Sequence, residues 1–296
     1  MRKRVIAWLR LMRFFPTLSW VGVTTFVGVS IAAKQGSWAS LDFWAVSLVL
    51  TSGIVCHGLL AHSANDYVDW STGTDNNSPG LFSGGSRVIP EGYLALDSMW
   101  NGMGVATGLC LVLMALLYLR IGSPALLGGV VASSAAIYYS LPPLMLAYHP
   151  VVGEWLAVVP ALLACAWLAN VAALPGQTLT SSDWLLIFVT ALSVMGHLMF
   201  HHLSDIEADL AATPRKLTTP AYFSQHGWNP RFVPAIYWGM VIILCTFANM
   251  YWLGVACTVA SVVALCIKLS NRRALARMDQ FLLFFIVAAI IIQALY

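Results

Sequence analysis

Charge is scarce in this chain. Only 9% of its 296 residues are charged and 59% are hydrophobic, whereas about 25% of the residues in a soluble domain carry a charge. The mean hydropathy is +0.79 and the formal net charge is only +3. This composition excludes a soluble globule and gives no basic surface for nucleic acid. It predicts an integral membrane protein.

Paired cysteines are also absent. The six cysteines, at positions 56, 110, 165, 245, 257 and 266, lie singly in apolar stretches without C-x-x-C or C-x-x-H spacing. A disulfide framework or a cysteine zinc site is therefore not expected. We expect all six to be small buried hydrophobic residues.

Long apolar runs are present instead, and a membrane-spanning helix needs about 20 such residues. Nine candidate spans lie near 14–33, 43–64, 98–119, 121–141, 151–170, 184–203, 232–250, 252–268 and 278–296. The run from Phe232 to Ile267 carries no charge, but one helix of that length would measure about 54 Å against a hydrocarbon core of about 30 Å. We therefore expect two helices that join near Tyr251 and Trp252. Residues 1–296 are expected to form one all-α transmembrane domain.

The basic residues predict how this domain lies in the membrane. With the N-terminus in the cytoplasm, 13 of the 15 Lys and Arg residues fall on the cytoplasmic side, and only Lys34 and Arg120 fall outside. Such an excess follows the positive-inside rule. The expected location is a multi-pass position in a membrane, the inner membrane in a prokaryote, with both long connections, 65–97 and 204–231, facing the cytoplasm.

Two acidic clusters begin these connections. Asp66 and Asp69 are three residues apart, and Asp205 and Asp209 are four apart, so on a helix each pair presents two carboxylates on one face while Glu207 turns away. Carboxylates inside a membrane or at its boundary are energetically costly, and they therefore indicate a functional site. Mg²⁺ prefers oxygen ligands and shares its shell with phosphates. We expect the four aspartates to bind Mg²⁺ and a phosphorylated substrate.

The spacing of the clusters suggests a repeat. The first cluster ends the second span and the second ends the sixth, which predicts two four-helix units plus one helix around a central cavity. His62 precedes Asp66 by four residues, and His201 precedes Asp205 by four. We expect His62, His201, His202 and Asp75 to surround the metal rather than to bind it directly.

These motifs carry a resemblance to a known family. Asn65-Asp66-x-x-Asp69 with Asp75, and Asp205-x-x-x-Asp209, resemble the two aspartate motifs of the UbiA superfamily of intramembrane prenyltransferases. The stretch from Ser83 to Gly92 resembles the loop after the first motif in the dihydroxynaphthoate, or menaquinone-branch, members. The stretches Tyr139 to Pro143 and Gly153-Glu154 are similar to the connection between helices four and five in that family.

The resemblance implies a Mg²⁺-dependent transfer of a polyprenyl group from its diphosphate to a small aromatic acceptor, a quinone precursor. Bound Mg²⁺ would neutralise the leaving diphosphate. Tyr139 is the candidate to stabilise the allylic cation by its ring face. The candidates for diphosphate binding are Asn65, Arg87, Arg215 and Lys216, of which Arg87 can form planar paired contacts with phosphate oxygens.

The chain also departs from the family pattern. Relatives commonly have Asn-Asn-x-Arg-Asp where this chain has His201-His202-Leu203-Ser204-Asp205, and Leu210 occupies a position that is often basic. Leu144-Met145-Leu146 stands where some branches have lysine. Two alternatives therefore stay open: a terpene cyclase that acts on a prenyl diphosphate without an acceptor, and a membrane transporter with a carboxylate and histidine relay.

Overall fold

The structure is a computed structural model that describes residues 2–78 and 85–296. Within these residues the chain is all-helical and has no β-strand, which confirms the predicted fold class at this level. The helices are α1 (Arg2–Leu11), α2 (Phe14–Gln35), α3 (Phe43–Gly53), α4 (His62–Thr72), α5 (Thr74–Asn77), α6 (Asp97–Ile121), α7 (Ser123–Tyr138), α8 (Val152–Ala173), α9 (Ser181–His201), α10 (Ile206–Ala211), α11 (Thr219–Gln225), α12 (Phe232–Ala248), α13 (Tyr251–Cys266) and α14 (Arg272–Leu295).

Six helical segments in the described part are long and apolar enough to cross a membrane: Phe14–Gln35, Phe43–Thr72, Asp97–Ile121, Val152–Ala173, Ser181–Ser204 and Arg272–Leu295. Three further apolar helices, α7, α12 and α13, have only 16 or 17 residues. At 1.5 Å per residue they measure about 24 to 26 Å, which is shorter than a typical hydrocarbon core. The structure therefore supports a multi-pass membrane protein.

The uncharged run after Phe232 divides into two helices. α12 ends at Ala248, and Asn249 adopts a left-handed conformation with φ 58° before α13 begins at Tyr251. Asparagine tolerates this conformation better than most residues. The predicted break near Tyr251 is confirmed.

A π-helical segment, Ile54–Ala61, joins α3 to α4 and makes the chain helical from Phe43 to Thr72. π-Helical segments are rare in proteins, and those that do occur are often found at functional sites. Gly73, with φ 84°, ends the helix in the left-handed conformation that glycine adopts at helix C-termini. The first aspartate motif thus lies in the last turns of a continuous helix that the π segment rotates.

The buried core surrounds α9, in which every residue from Val189 to Phe200 is buried. Trp238 of α12 is fully buried there, and its indole nitrogen donates a 3.1 Å hydrogen bond to the carbonyl oxygen of Ser193. A Cβ on Gly196 would lie 2.4 Å from that nitrogen, so only glycine permits this close approach of α9 and α12. This packing fixes the helix that leads into the second aspartate motif.

All six cysteines are free thiols, as the lone spacing predicts. The expectation that all six are buried is wrong for three of them. Cys56, Cys245 and Cys257 are buried, Cys110 and Cys165 are half-buried, and Cys266 is exposed. Cys266 ends α13, where no neighbouring helix covers it, and a membrane can cover an apolar side chain there as well as protein can.

Candidate active site

A cavity of about 710 Å³ lies between the helices. Its lining is polar beside α4 and α10, where the two aspartate motifs lie, and apolar farther in, along α7 and α8. The cavity volume lies within the range of 300 to 1,000 Å³ that is usual for small-molecule sites. The two sequence motifs are therefore brought together at one end of a single cavity.

Asp66 lies beneath this polar end and is only 1% exposed. Its Oδ1 accepts a 2.6 Å hydrogen bond from Arg13, and its Oδ2 accepts hydrogen bonds from the backbone amide and the hydroxyl of Ser86. Arg13 lines the cavity, whereas Asp66 does not. The guanidinium of Arg13 thus neutralises the buried carboxylate.

Asp69 and Asp209 face one another across Lys216. The Nζ of Lys216 lies 2.8 Å and 2.9 Å from the two carboxylate oxygens of Asp69, and Asp209 accepts a 2.8 Å hydrogen bond from Thr218. Burial lowers the pKa of Lys216, but the charges of Asp69 and Asp209 outweigh burial and raise it. Lys216 therefore stays charged and joins the two motifs.

Asp75 is a third buried carboxylate at the same end. Burial, and then the charges of Asp69 and Asp66, raise the pKa of Asp75 to about 8. Its Oδ1 has no hydrogen-bond partner among the described residues. Gly85, with φ 73°, packs against it so closely that a Cβ would lie 2.9 Å from both carboxylate oxygens. This loop keeps its backbone next to the carboxylate because the residue is glycine.

The second motif begins where α9 ends. Nδ1 of His201 lies 3.0 Å from Oδ2 of Asp279 on α14, and Nε2 of His201 lies 3.9 Å from Oδ2 of Asp205. Glu207 is exposed and pairs with Arg272. Asp205 and Asp209 line the cavity, and Glu207 points away from it, as the helical spacing predicts.

Of the remaining predicted residues, all but Arg215 line the cavity. Asn65, Arg87, Tyr139, His62 and His202 line the cavity. Asn65 donates a 2.8 Å hydrogen bond to Asp69, so its amide orients that carboxylate. Arg215 is exposed and does not line the cavity, so the structure does not bring it together with the other predicted residues. Its neighbour Lys216 is buried and lines the cavity, so these two adjacent basic side chains have different surroundings.

Part of one predicted feature lies outside the described residues. Ser83 and Gly84 of the loop that resembles the menaquinone-branch members are not among them, whereas Gly85, Ser86 and Arg87 are. Arg87 donates a 3.3 Å hydrogen bond to the carbonyl oxygen of Asp75 and lies 3.7 Å from Glu91. Its guanidinium therefore stands at the edge of the carboxylate cluster.

Several residues that line the cavity are not predicted as site residues from the sequence, among them Arg13, His57, His197 and Asp279. From the sequence, Arg13 counts only as a charge that sets the topology. Asp279 is the single acidic residue within the last apolar segment, and that isolation is the signal that could have identified it, because charges inside spans are rarely tolerated without function.

The carboxylates have the donor chemistry that Mg²⁺ requires. Within residues 2–78 and 85–296, no three His, Cys, Asp or Glu side chains converge as a ready metal cluster, because Arg13 and Lys216 lie among the carboxylates. The buried Oδ1 of Asp75 has no hydrogen-bond partner among the described residues. The carboxylate oxygens of both motifs therefore fit a hard cation, provided that Arg13 and Lys216 move away from them.

The described chain is thus an all-helical membrane fold with a cavity whose polar end carries carboxylates and basic side chains. The model of the UbiA prenyltransferase family matches residues 21–289. The chain belongs to this family, and it is an enzyme of the prenyltransferase class. A search of curated proteins finds no match.

Solved structures support the same fold. A digeranylgeranylglyceryl phosphate synthase is 14% identical, with a TM-score of 0.58 over 100% of this chain and 99% of the other. A UbiA homologue from Archaeoglobus fulgidus, bound to DMAPP and Mg²⁺, is 15% identical, with a TM-score of 0.59 over 95% and 99% of the two chains. The same homologue bound to GPP and Mg²⁺ gives a TM-score of 0.57 at 15% identity, with the same coverage. At sequence identities of 14 to 15%, this structural similarity establishes the fold alone.

Proposed function

We propose that this enzyme transfers a polyprenyl group from a polyprenyl diphosphate to a small aromatic acceptor, a quinone precursor, and that the reaction depends on Mg²⁺. The observation that carries the proposal is the polarity of the cavity, which has carboxylates, Arg13, Arg87 and Lys216 at one end and an apolar lining at the other. A prenyl diphosphate has the same two parts. The homologue from A. fulgidus, which binds DMAPP or GPP with Mg²⁺, supports this proposal.

The carboxylates that would hold Mg²⁺ are the four predicted from the sequence, Asp66, Asp69, Asp205 and Asp209. We add Asp75 to them, because its buried Oδ1 has no hydrogen-bond partner among the described residues. Bound there, Mg²⁺ would supply positive charge to the diphosphate and stabilise the charge that develops on it as a leaving group. Metal binding would also release the two basic side chains that neutralise the carboxylates in this structure.

Arg13 and Lys216 would then turn to the substrate. Each lies at the cavity wall within 3 Å of a carboxylate, so a short movement exchanges a carboxylate partner for a phosphate oxygen. Arg87, in the loop after the first aspartate motif, adds a planar guanidinium that can form paired hydrogen bonds with phosphate oxygens. These residues orient the diphosphate so that the allylic carbon points into the apolar part of the cavity.

The transfer step needs no oxidant or reductant. The bond between the allylic carbon and the bridging oxygen breaks, and the electron pair leaves with the diphosphate. The acceptor donates an electron pair to the allylic carbon and loses one proton. Tyr139 lines this region and can stabilise the allylic cation by its ring face.

The prenyl tail has a route through the apolar end. A second cavity, of about 190 Å³, shares lining residues with the main one, namely Gly53, Cys56, Ala132 and Cys165. Its other walls are mainly apolar, so a hydrocarbon chain can enter it without burying an unpaired polar group.

The same proposal includes the topology. Nine membrane-spanning helices, with the N-terminus and the polar cavity mouth in the cytoplasm, give the 13 to 2 distribution of basic residues that the positive-inside rule predicts. The three shorter helices, α7, α12 and α13, are apolar enough to be the remaining spans.

The test is a reaction of the purified protein with Mg²⁺ and prenyl diphosphates of several lengths, with and without dihydroxynaphthoate, and with products identified by mass spectrometry. A prenylated ring supports the proposal. A cyclic hydrocarbon indicates the cyclase alternative, and the absence of any product would contradict the proposed donor and acceptor.

Single substitutions test the site. Asp66→Ala, Asp69→Ala, Asp205→Ala and Asp209→Ala should each lose more than the 10 to 100-fold that is typical of residues around a metal. Glu207→Ala is the matched control, because Glu207 lies between Asp205 and Asp209 but is exposed, and it should keep the parent activity. Full activity in any two of the four aspartate variants would contradict the assignment.

A further inference from the structure

Five of the seven histidines line the cavity: His57, His62, His197, His201 and His202. The prenyl tail makes no hydrogen bonds, and Mg²⁺ prefers oxygen ligands. His62, His201 and His202 are the histidines that we expect around the metal, but neither the prenyl tail nor Mg²⁺ accounts for His57 and His197.

The deepest of these imidazoles form a polar layer with Trp20 and Asp279. His57 precedes Asp66 by nine residues and His197 precedes Asp205 by eight, so both lie roughly 12 Å below the carboxylates along their helices. Trp20 follows Arg13 by seven residues and is roughly 10 Å below it. This layer lies between the charged end of the cavity and the region that is fully apolar.

Two rings of the layer are stacked. The indole of Trp20 and the imidazole of His57 have centroids 5.5 Å apart and planes inclined by 24°. His57 belongs to the π-helical segment and is only half-buried. No hydrogen bond to a described residue engages either of its ring nitrogens, so the stack holds an imidazole whose nitrogens are available to a ligand.

The other side of the layer holds His197. Its Nε2 lies 3.1 Å from the backbone carbonyl oxygen of Asp279 and 3.2 Å from that residue's Oδ1. A carbonyl oxygen only accepts hydrogen bonds, so Nε2 carries the hydrogen and the lone pair of a neutral imidazole is on Nδ1. Asp279 thus fixes the orientation and the tautomer of His197.

Polar atoms of this layer are buried without partners. Nδ1 of His197 and Nε1 of Trp20 have no hydrogen-bond partner among the described residues. Leaving such an atom buried and unpaired is costly, and most buried polar atoms in proteins are paired. A lipid tail cannot pair them. A polar ligand can.

We propose that Trp20, His57 and His197 form the acceptor-binding site, and that His57 hydrogen-bonds a hydroxyl group of a planar aromatic ring. The inference rests on the proposed function and adds to it the residues that hold the acceptor and the hydroxyl group that His57 recognises. Trp20 positions His57 by stacking, and Asp279 positions His197. A ring in this layer lies beside the part of the cavity where a donor bound at the carboxylates would place its allylic carbon.

The test uses geranyl diphosphate, Mg²⁺ and three hydroxylated rings, namely dihydroxynaphthoate, 4-hydroxybenzoate and 1,4-naphthohydroquinone. His57→Phe keeps the flat ring and removes both nitrogens. It should raise KM for the accepted ring about tenfold, the value of one lost hydrogen bond, and by at least about five times more than it raises KM for geranyl diphosphate. His57→Asn, which restores a hydrogen-bonding group, should recover part of the loss.

The matched control is His226→Phe, because His226 is exposed, bonds to the carbonyl oxygen of Tyr222 and does not line the cavity. It should keep both KM values. If His57→Phe does not fold, the parent enzyme supplies a second measurement: a dimethoxy analogue of the accepted ring should compete at least tenfold more weakly than the dihydroxy ring. Equal competition would overturn the inference.

The outcomes separate the two proposals. Mg²⁺-dependent release of diphosphate from geranyl diphosphate, with none of the three rings prenylated, overturns the acceptor site and leaves the donor chemistry standing. Neither release nor transfer overturns both. A KM for the accepted ring that is higher in His57→Phe than in the parent, with KM for geranyl diphosphate little changed, supports the acceptor site. Equal KM values for the ring in the two proteins overturn it.

Discussion

Arg13 donates a 2.6 Å hydrogen bond to Asp66 across 53 residues of sequence. The carboxylate is almost fully buried, and a buried charge without a partner would be costly. The pair therefore gives the site an internal counter-charge before any substrate binds. It also places a guanidinium at the cavity wall, ready to exchange the carboxylate for a phosphate group.

We expect Arg13→Gln to raise KM for the prenyl diphosphate by more than tenfold, because the substrate loses a charge-assisted hydrogen bond of about 1.5 to 3 kcal/mol. Arg13→Lys should recover only part, since lysine lacks the paired donors. Arg4→Gln is the control, because Arg4 is an exposed residue of α1. The measurement is KM for the prenyl diphosphate from steady-state kinetics at saturating Mg²⁺. Equal KM values in the parent and all variants would contradict the role of Arg13.

Lys216 and Arg215 offer a comparison between neighbours. Lys216→Met should lose at least tenfold in activity, because the diphosphate loses a charge-assisted hydrogen bond of about 1.5 to 3 kcal/mol. It should also destabilise the metal-free protein, because it leaves Asp69 and Asp209 without the buried cation between them. Arg215→Met should keep the parent activity, because Arg215 is exposed.

The measurement for this pair is the rate of product formation, with thermal unfolding as the check on folding. A large loss in Arg215→Met together with a small loss in Lys216→Met would reverse the assignment that the structure makes.

The sequence predicted the parts of the site that depend on helical periodicity. The three- and four-residue spacings placed Asp66 with Asp69 and Asp205 with Asp209, and they turned Glu207 outward. The break near Tyr251 followed from length alone. These features are local, and the geometry of one helix determines them.

The contacts between distant helices could not be predicted in this way. Nothing in the sequence around Arg13 indicates that its partner is Asp66 rather than lipid phosphate, and nothing near Asp279 indicates His197 and His201. The π segment also rotates His57 relative to α4 by an amount that no regular period gives. Tertiary packing decides these positions, and a single sequence does not record it.

The pKa values of the carboxylates predict how metal binding depends on pH. Burial is the main cause that raises the pKa of Asp75 to about 8 and that of Asp209 to about 8. Both are protonated below that pH without metal, and Mg²⁺ must displace the protons. The apparent affinity for Mg²⁺ should therefore rise between pH 6 and pH 8, by about tenfold per pH unit for each proton displaced.

Titration of the EDTA-treated protein with Mg²⁺ at several pH values measures this slope, and Asp75→Asn should reduce it. A second readout follows from linkage. A folded-state pKa above that of the unfolded chain means that the metal-free protein loses stability as pH rises from about 4 to about 8, and saturating Mg²⁺ should oppose that loss. A pH-independent Mg²⁺ affinity would show that neither carboxyl binds the metal.

The connection between the two cavities predicts which prenyl chains the enzyme accepts. Ala132 lines both cavities, so Ala132→Phe should close the passage that a long tail needs while leaving room for a short one. We expect the variant to lose at least tenfold in kcat/KM for geranylgeranyl diphosphate relative to geranyl diphosphate. Leu126→Phe is the control, because Leu126 lies on the same helix but is 45% exposed. It should keep the parent preference in competition assays with both donors, and the same preference in Ala132→Phe would show that the tail takes another route.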